Sequence, residues 1–316
     1  MRILFCAAVS LFCFTAHAWP TKPVRIVVAY PAGGGIDVMA RQIAEKLTPA
    51  WGQPVIVENK PGANTILATD AVAKSADGHT ILMTTDATFS INPHLYAKLP
   101  YDAQRDFIPV TMLVLLQQLL VAHPAVPFND LKGLIEAAKA KPGSINYASY
   151  GSGSQPHLAG EMLKNKAGID LVHVPYKGIS LAVPAVMAGE VQLTFAGIAT
   201  SMPQLKAGRI KALAIGGTAR SPLLPQVPTF AELGYPEVET HAWFGLFVPA
   251  NSPREAVGRI HRDTRAILDD PDFRQKQLID KGYEVVGSSP PEFVNYLKKD
   301  SESRARAVKI SGAKAE

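Results

Sequence analysis

The sequence has very little sulfur chemistry available to it. Its two cysteines, Cys6 and Cys13, both fall in the opening stretch "MRILFCAAVSLFCFTAHA". That stretch has a basic start at Arg2, an apolar run from Ile3 to Phe14 and a small-x-small end at Ala16-His17-Ala18. It reads as a secretory signal over residues 1–18, cut before Trp19. "SLF" before Cys13 lacks the small residue of a lipoprotein signal, so an exported, unanchored periplasmic protein is expected. After the cut no thiol remains, which excludes disulfides, thiolate metal sites and cysteine nucleophiles. A fold without such staples needs a large core, which roughly 300 residues can supply as two domains.

Long apolar runs and blocks of like charge are missing too. The longest apolar run after the signal, "VTMLVLLQQLLVA" from Val110 to Ala122, is short for a bilayer span and is interrupted by Gln117 and Gln118. It reads as buried strand, so any membrane part of a transport system belongs to other chains. The formal charge is +5, from 32 basic and 27 acidic residues. Loss of residues 1–18 removes Arg2 and no acid, leaving 31 against 27 and a formal +4. Acids and bases alternate without a basic stripe, which excludes nucleic acid and leaves a modest attraction for small anions.

Motifs for catalysis and metals are likewise lacking. "GSGSQ" is not the Gly-x-Ser-x-Gly of a nucleophile elbow. The histidines after the signal stand singly, with no His-x-x-x-His, so no zinc site, other metal or cofactor is expected.

What the chain does have is a regular alternation of β-rich runs and helical patterns. "VRIVVAY" (24–30), "PVIVENK" (54–60) and "TILMTT" (80–85) are separated by helical stretches, the first with Val38, Ile43, Ala44 and Leu47 on one face. This is the βαβαβ pattern of a mostly parallel sheet. A second set starts near residue 125 with a helix capped by Asn129, followed by strands at "SINYASY", "DLVHVPY", "VQLTFAG" and "IKALAIGG". The tail beyond residue 253 is helical, with Pro290 and Pro291 suited to a first helical turn. Segments 119–124 and 241–249 are the candidate crossings between the two units, which makes the first unit discontinuous.

Two loops of tiny residues sit at equivalent places, "AYPAGGGID" and "ASYGSGSQPH", each between a strand and a helix start. A helix N-terminus has free N–H groups and partial positive charge, and glycines let an anion come close to them. A dinucleotide loop would need glycine where Val38 stands, and a P-loop would need Gly-Lys-Ser/Thr where Gly35-Ile36-Asp37 stands. Both nucleotide readings fail. A plain tight turn remains an alternative for either loop, but the pair suggests two half-sites facing across a cleft. For His157 a structural role and a ligand contact are both open, and Asp37 is as well explained as a partner of the helix dipole.

The combination "AYPAGGGID", "VENKPGA", "SINPHLY", "LPYDAQRDFIPV", "AKPGSINYASYGSGSQPHLAGEM", "VHVPYKG", "LPQVPTFAELGYP" and "WFGLFVPANSP" resembles the Bug family, the periplasmic solute receptors of tripartite tricarboxylate transporters. The resemblance runs over essentially the whole chain after the signal. It implies the α/β fold of a type II periplasmic binding protein, with two lobes joined by two crossing strands: residues 19–121 plus 245–316, and residues 122–244. It also implies a monomer that closes over a small organic carboxylate and is read by membrane subunits of a transporter or, alternatively, by a signalling partner; a carboxylate-processing enzyme is the remaining alternative, disfavoured by the missing metal and nucleophile motifs. The site residues it implies are Tyr30, Gly33, Gly34, Gly35, Asp37, Asn64 and Thr65 on one lobe. On the other they are Ser149, Gly151, Gly153, Ser154, His157, Tyr176, Lys177 and Ala196.

Three departures from the family pattern bear on specificity. "PGANT" replaces the frequent "PGAGG", placing side chains at Asn64 and Thr65. Ala196 stands where amino-acid binders of the family carry an aspartate for the ligand's ammonium, which implies a carboxylate without an amine. Ile179 and Leu181, where small residues and Pro are usual, are explained equally well by a more apolar distal pocket and by helix packing.

Overall fold

The computed structural model describes residues 19–238 and 240–314; the export signal expected over residues 1–18 lies outside them. The chain opens with β1 (Val24–Val28), α1 (Gly35–Trp51), β2 (Val55–Asn59), α2 (Ile66–Ala73) and β3 (Thr80–Thr85). A π-turn over Ala87–Ile91 leads into short α3 (Asn92–Leu95) and the long β4 (Phe107–Ala122). Then come α4 (Leu131–Ala140), β5 (Asn146–Ser149), α5 (Gln155–Ala167), β6 (Val172–Pro175), α6 (Ile179–Met187), β7 (Leu193–Gly197), α7 (Ile198–Lys206) and β8 (Lys211–Ile215). The chain returns through β9 (His241–Pro249) and ends with α8 (Arg254–Asp269), short α9 (Pro271–Phe273), β10 (Tyr283–Val285) and α10 (Pro290–Ser311).

β1 pairs in parallel with β2 and β3, and β9 joins β3 to β4 antiparallel. In the second lobe β5 pairs in parallel with β6 and β7, while β7 and β8 run antiparallel to β4. β4 is shared. From Phe107 to Gln117 it pairs with β9, and from Gln118 to Ala122 with β7. At the change of partner Gln118 N–H donates to Thr240 O at 3.2 Å, and Thr240 Oγ1 donates to Gln118 O at 2.9 Å. The apolar run read as buried strand is therefore the segment that links the lobes.

Each sheet buries both faces, and alternation along the strands distributes the side chains. On β9, Ala242, Phe244, Leu246 and Val248 pack with Ile26, Val28 and the inner face of α1, while Trp243 and Phe247 pack with Val27, Phe89 and Phe293 on the opposite face. On β4, Leu119 and Val121 join the core under α6, and Leu120 and Ala122 the core under α4 and α5.

Two local expectations are corrected. The buried stripe of α1 is Ile36, Met39, Ala40, Ile43, Ala44 and Leu47, whereas Val38 is 41 % exposed. At 3.6 residues per turn Val38 lies off the stripe that the other positions define. The N-cap of α4 is Asp130, whose Oδ1 accepts the N–H of Gly133 at 2.7 Å. Asn129 instead accepts from Lys211 Nζ at 2.8 Å.

Candidate ligand-binding site

The helices that start at the lobe interface have no side-chain caps. The N-cap residues of α1, α5, α6 and α7 are Gly34, Ser154, Gly178 and Gly197, and none forms a side-chain cap hydrogen bond. α4 and α10 are capped, by Asp130 and by the Ser289/Glu292 capping box. An uncapped first turn keeps its N–H groups for something else. These four starts border one cleft of about 710 Å³, through Gly34 to Ile36, Ser154 to Pro156, Ile179 and Ser180, and Gly197, Ala199 and Thr200.

The rest of the wall is mainly apolar and aromatic: Tyr30, Pro31, Leu116, Tyr150, Ala242, Phe244 and Tyr283, with Thr85, Asp86 and Gln118 as polar points. Among the described residues no lysine or arginine lines it. Gly35 is required by close approach, because a Cβ there would lie 2.7 Å from the Tyr283 hydroxyl oxygen. Three buried polar atoms of the cleft lining have no hydrogen-bond partner, Ser154 Oγ, Gln118 Oε1 and Asp86 Oδ2. Four helix starts favour an anion, each by about 0.3–1 kcal/mol at an exposed end and more when partly buried. With no competing cation, the arrangement suits a carboxylate recognised by main-chain N–H groups.

Tyr30 and Tyr150 also border a second chamber of about 690 Å³. It is lined by Gly62 to Thr65, Tyr96, Gly151, Ser152 and Pro175 to Lys177. Ala63, Asn64 and Thr65 have φ of 45°, 45° and 76°, a left-handed run that L-residues rarely adopt. Buried polar contacts hold it: Asn64 Nδ2 donates to Asn92 Oδ1 at 2.7 Å, Asn92 Nδ2 donates to Asn64 O at 2.8 Å, and Thr88 Oγ1 donates to Thr65 Oγ1 at 2.8 Å.

The sequence-predicted residues divide accordingly. Tyr30, Gly34, Gly35 and Ser154 border the main cleft; Tyr30, Asn64, Thr65, Gly151, Tyr176 and Lys177 border the second chamber. Of the others, Gly33 is exposed outside both linings, and Asp37, Ser149, Gly153, His157 and Ala196 are buried behind them. Gly33 donates its N–H to Asp37 Oδ2 at 2.9 Å, and Asp37, 3 % exposed, also binds Arg41 and Asn59. Burial alone would raise the Asp37 pKa, but Arg41, the Gly33 N–H and Asn59 outweigh it and hold the carboxyl below its ordinary range. Gly153 donates to His157 Nδ1 at 2.9 Å, and Ser149 Oγ lies 2.6 Å from His173 Nε2. Ala196 is fully buried in the second lobe's core, next to Gly197, which does border the cleft. Ile179 lines the cleft, whereas Leu181 is 49 % exposed.

Sequence reasoning missed Asp86, Gln118, Thr200, Phe244 and Tyr283 as wall residues. Only Tyr150 left a signal, as the tyrosine matching Tyr30 in the paired strand-Tyr-loop pattern. Its hydroxyl donates to Phe195 O, and burial pushes its pKa up. Asp86 is 1 % exposed, with Oδ2 3.4 Å from Arg304. Burial pushes it up to about 7, with Asp300 adding to the rise and Arg304 opposing it.

Comparison with known proteins identifies relatives of the whole fold. The profile of "TctC: Tripartite tricarboxylate transporter family receptor" matches residues 39–312. Protein BugT of Bordetella pertussis is 32% identical over 306 residues, covering 95% of this chain and 92% of that protein. The R. palustris protein Rpa4515, solved with adipate, superposes with a TM-score of 0.89 at 32% identity, covering 94% of this chain and 99% of the other. MatC from Rhodopseudomonas palustris, solved with bound malate, gives a TM-score of 0.85 at 31% identity, covering 93% and 100%.

Proposed function

Because this chain belongs to the tripartite tricarboxylate transporter receptor family, we propose that it captures a small organic carboxylate without an amino group and delivers it to the membrane subunits of such a transporter, without turnover. The observation that carries this reading is the convergence of four uncapped helix N-termini on a cleft whose lining, among the described residues, holds no lysine or arginine. The adipate and malate bound by the two solved relatives are of this class. The missing amine is supported by Ala196, which brings no carboxylate to its position, and by Asp37, which is committed to Arg41 behind the wall.

Capture proceeds by lobe closure. We assign residues 19–121 with 245–316 to one lobe and 122–244 to the other; the change of pairing at Gln117–Gln118 supports a hinge close to the first boundary. Binding energy from both walls biases open forms toward the closed one, which is the form a membrane partner can distinguish. Residues 1–18 serve as the export signal.

A thermal-shift panel of mono-, di- and tricarboxylates, with aspartate and glutamate as amine-bearing controls, tests the ligand class. Ligand at about a hundredfold over Kd adds roughly 2.7 kcal/mol, a rise of a few degrees. A rise with sugars or cations but no carboxylate sinks the reading, and equal shifts with aspartate and malate sink the amine-free part. Uptake of the identified acid by cells, abolished by deleting the receptor, tests delivery.

A further inference from the structure

Asp86 belongs to a buried group whose charges do not balance. Arg304 of α10 lies 3.4 Å from Asp86 Oδ2 and 3.5 Å from Asp300 Oδ1, and the three residues are 1 %, 2 % and 6 % exposed. With both carboxyls ionised, one guanidinium faces two negative charges. Asp300 has a further donor, Trp243 Nε1 at 2.8 Å, whereas Asp86 Oδ2 has no hydrogen-bond partner. Of the pair, Asp86 is the cheaper place for a proton. Among the described residues it is also the only carboxyl on the wall of the ligand cleft.

The other groups facing Asp86 do not supply a compensating cation. Tyr30 precedes α1 and Tyr150 precedes α5; burial raises both hydroxyls, and the Asp86 charge raises them further. From β9 the contact comes through His241 O, which accepts from Arg304 at 2.7 Å. The Asp86 and Ala87 backbone N–H groups favour the anion, but burial outweighs them.

Resting on the carboxylate-receptor reading, we propose that ligand capture is coupled to protonation of Asp86: an anionic carboxylate entering the cleft makes Asp86 bind one proton from solvent. The cause is electrostatic. Two like charges in a water-poor cleft destabilise each other, and the group already poorly stabilised as an anion takes up the proton. Because its pKa in the free protein is near neutral, coupling falls within an accessible pH range.

The test is titration calorimetry of the full processed chain with adipate and with malate, at pH 6.5, 7.5 and 8.5, in two buffers of different ionisation enthalpy. Expected are uptake approaching one proton per ligand at pH 8.5, falling toward zero at low pH, and a Kd that weakens about tenfold between pH 7.5 and 8.5. D86N should show neither, its Kd staying within about twofold across the range; its unfolding midpoint at pH 8, at or above the native one, reports an intact fold. Binding without proton uptake, or uptake that persists in D86N, overturns the inference and leaves the receptor reading standing. Failure of every carboxylate to bind at any pH overturns both.

Discussion

The imidazole of His157 lies flat against that of His173, with ring centroids 3.9 Å apart and planes 9° from parallel. His157 Nδ1 also accepts the N–H of Gly153, which only an imidazole lacking that proton can do. Burial, with a smaller contribution from Lys164, pushes His157 down to about 4. The folded form thus releases a proton that the unfolded chain holds below its ordinary value of about 6.5. Stability tied to His157 is full above pH 6.5 and is lost as pH falls toward 4, by an amount on the order of 3 kcal/mol at 1.36 kcal/mol per pKa unit. Urea unfolding at pH 7 and pH 4.5 should show this loss in the native protein and less of it in His157→Asn. An unchanged pH slope in the variant would refute the assignment.

Gly178 and Pro31 approach each other too closely for a methyl group. Gly178, before α6, has φ +153°, and a Cβ on it would sit 2.9 Å from Cδ and 3.2 Å from Cγ of Pro31 on the other lobe. The proline ring cannot rotate away as a flexible chain would. Gly178→Ala is expected to weaken ligand binding at least tenfold, while the ligand-free unfolding midpoint drops by only a few degrees. Native affinity in the variant would show that the lobes need not approach this closely.

Ser154 and Asp130 separate a cleft role from a cap role. Ser154 occupies an N-cap without using its side chain there, and its buried Oγ has no partner. Ser154→Ala should leave thermal stability nearly unchanged and weaken carboxylate binding about ten- to a hundredfold, the weight of one hydrogen bond to a charged group. Asp130→Ala removes the bond to Gly133 and should cost about 1 kcal/mol of stability with no change in binding. The opposite pattern would mean that Ser154 is merely structural.

Ala63 offers a stabilising substitution. It is exposed, sits at φ +45° and begins the left-handed run through Thr65. Glycine adopts that region without penalty, at the cost of a floppier unfolded chain. Ala63→Gly should raise stability by about 1 kcal/mol, read as a shift of the urea midpoint at constant slope. A loss of stability would show that the network around Asn92 already absorbs the strain.

Element order and type were readable from the sequence, because the periods that encode them are local. The β-rich runs became β1, β2 and β3, and the glycine loops did lead into helices. Two expectations shifted by the rules that produced them: Val38 lay off the stripe of α1, and Asp130 outcompeted Asn129 as a cap because its carboxylate reaches Gly133. The many motifs also identified the family, which the match over residues 39–312 shows.

The sequence by itself therefore determined two α/β lobes, their helix starts rich in tiny residues, and a receptor for small solutes. Only the tertiary structure decided which groups face the cleft. A helix start directs its N–H groups at whatever lies ahead, but what lies ahead of Gly34 is the start of α6, brought there when β4 changes partners at Gln118. Asp37 turned inward because Arg41 and Asn59 satisfy it, and Asp86 acquired its unbalanced charge from Arg304 and Asp300, far along the chain. Charge and burial at such positions are sums over distant neighbours, and no local spacing contains those sums.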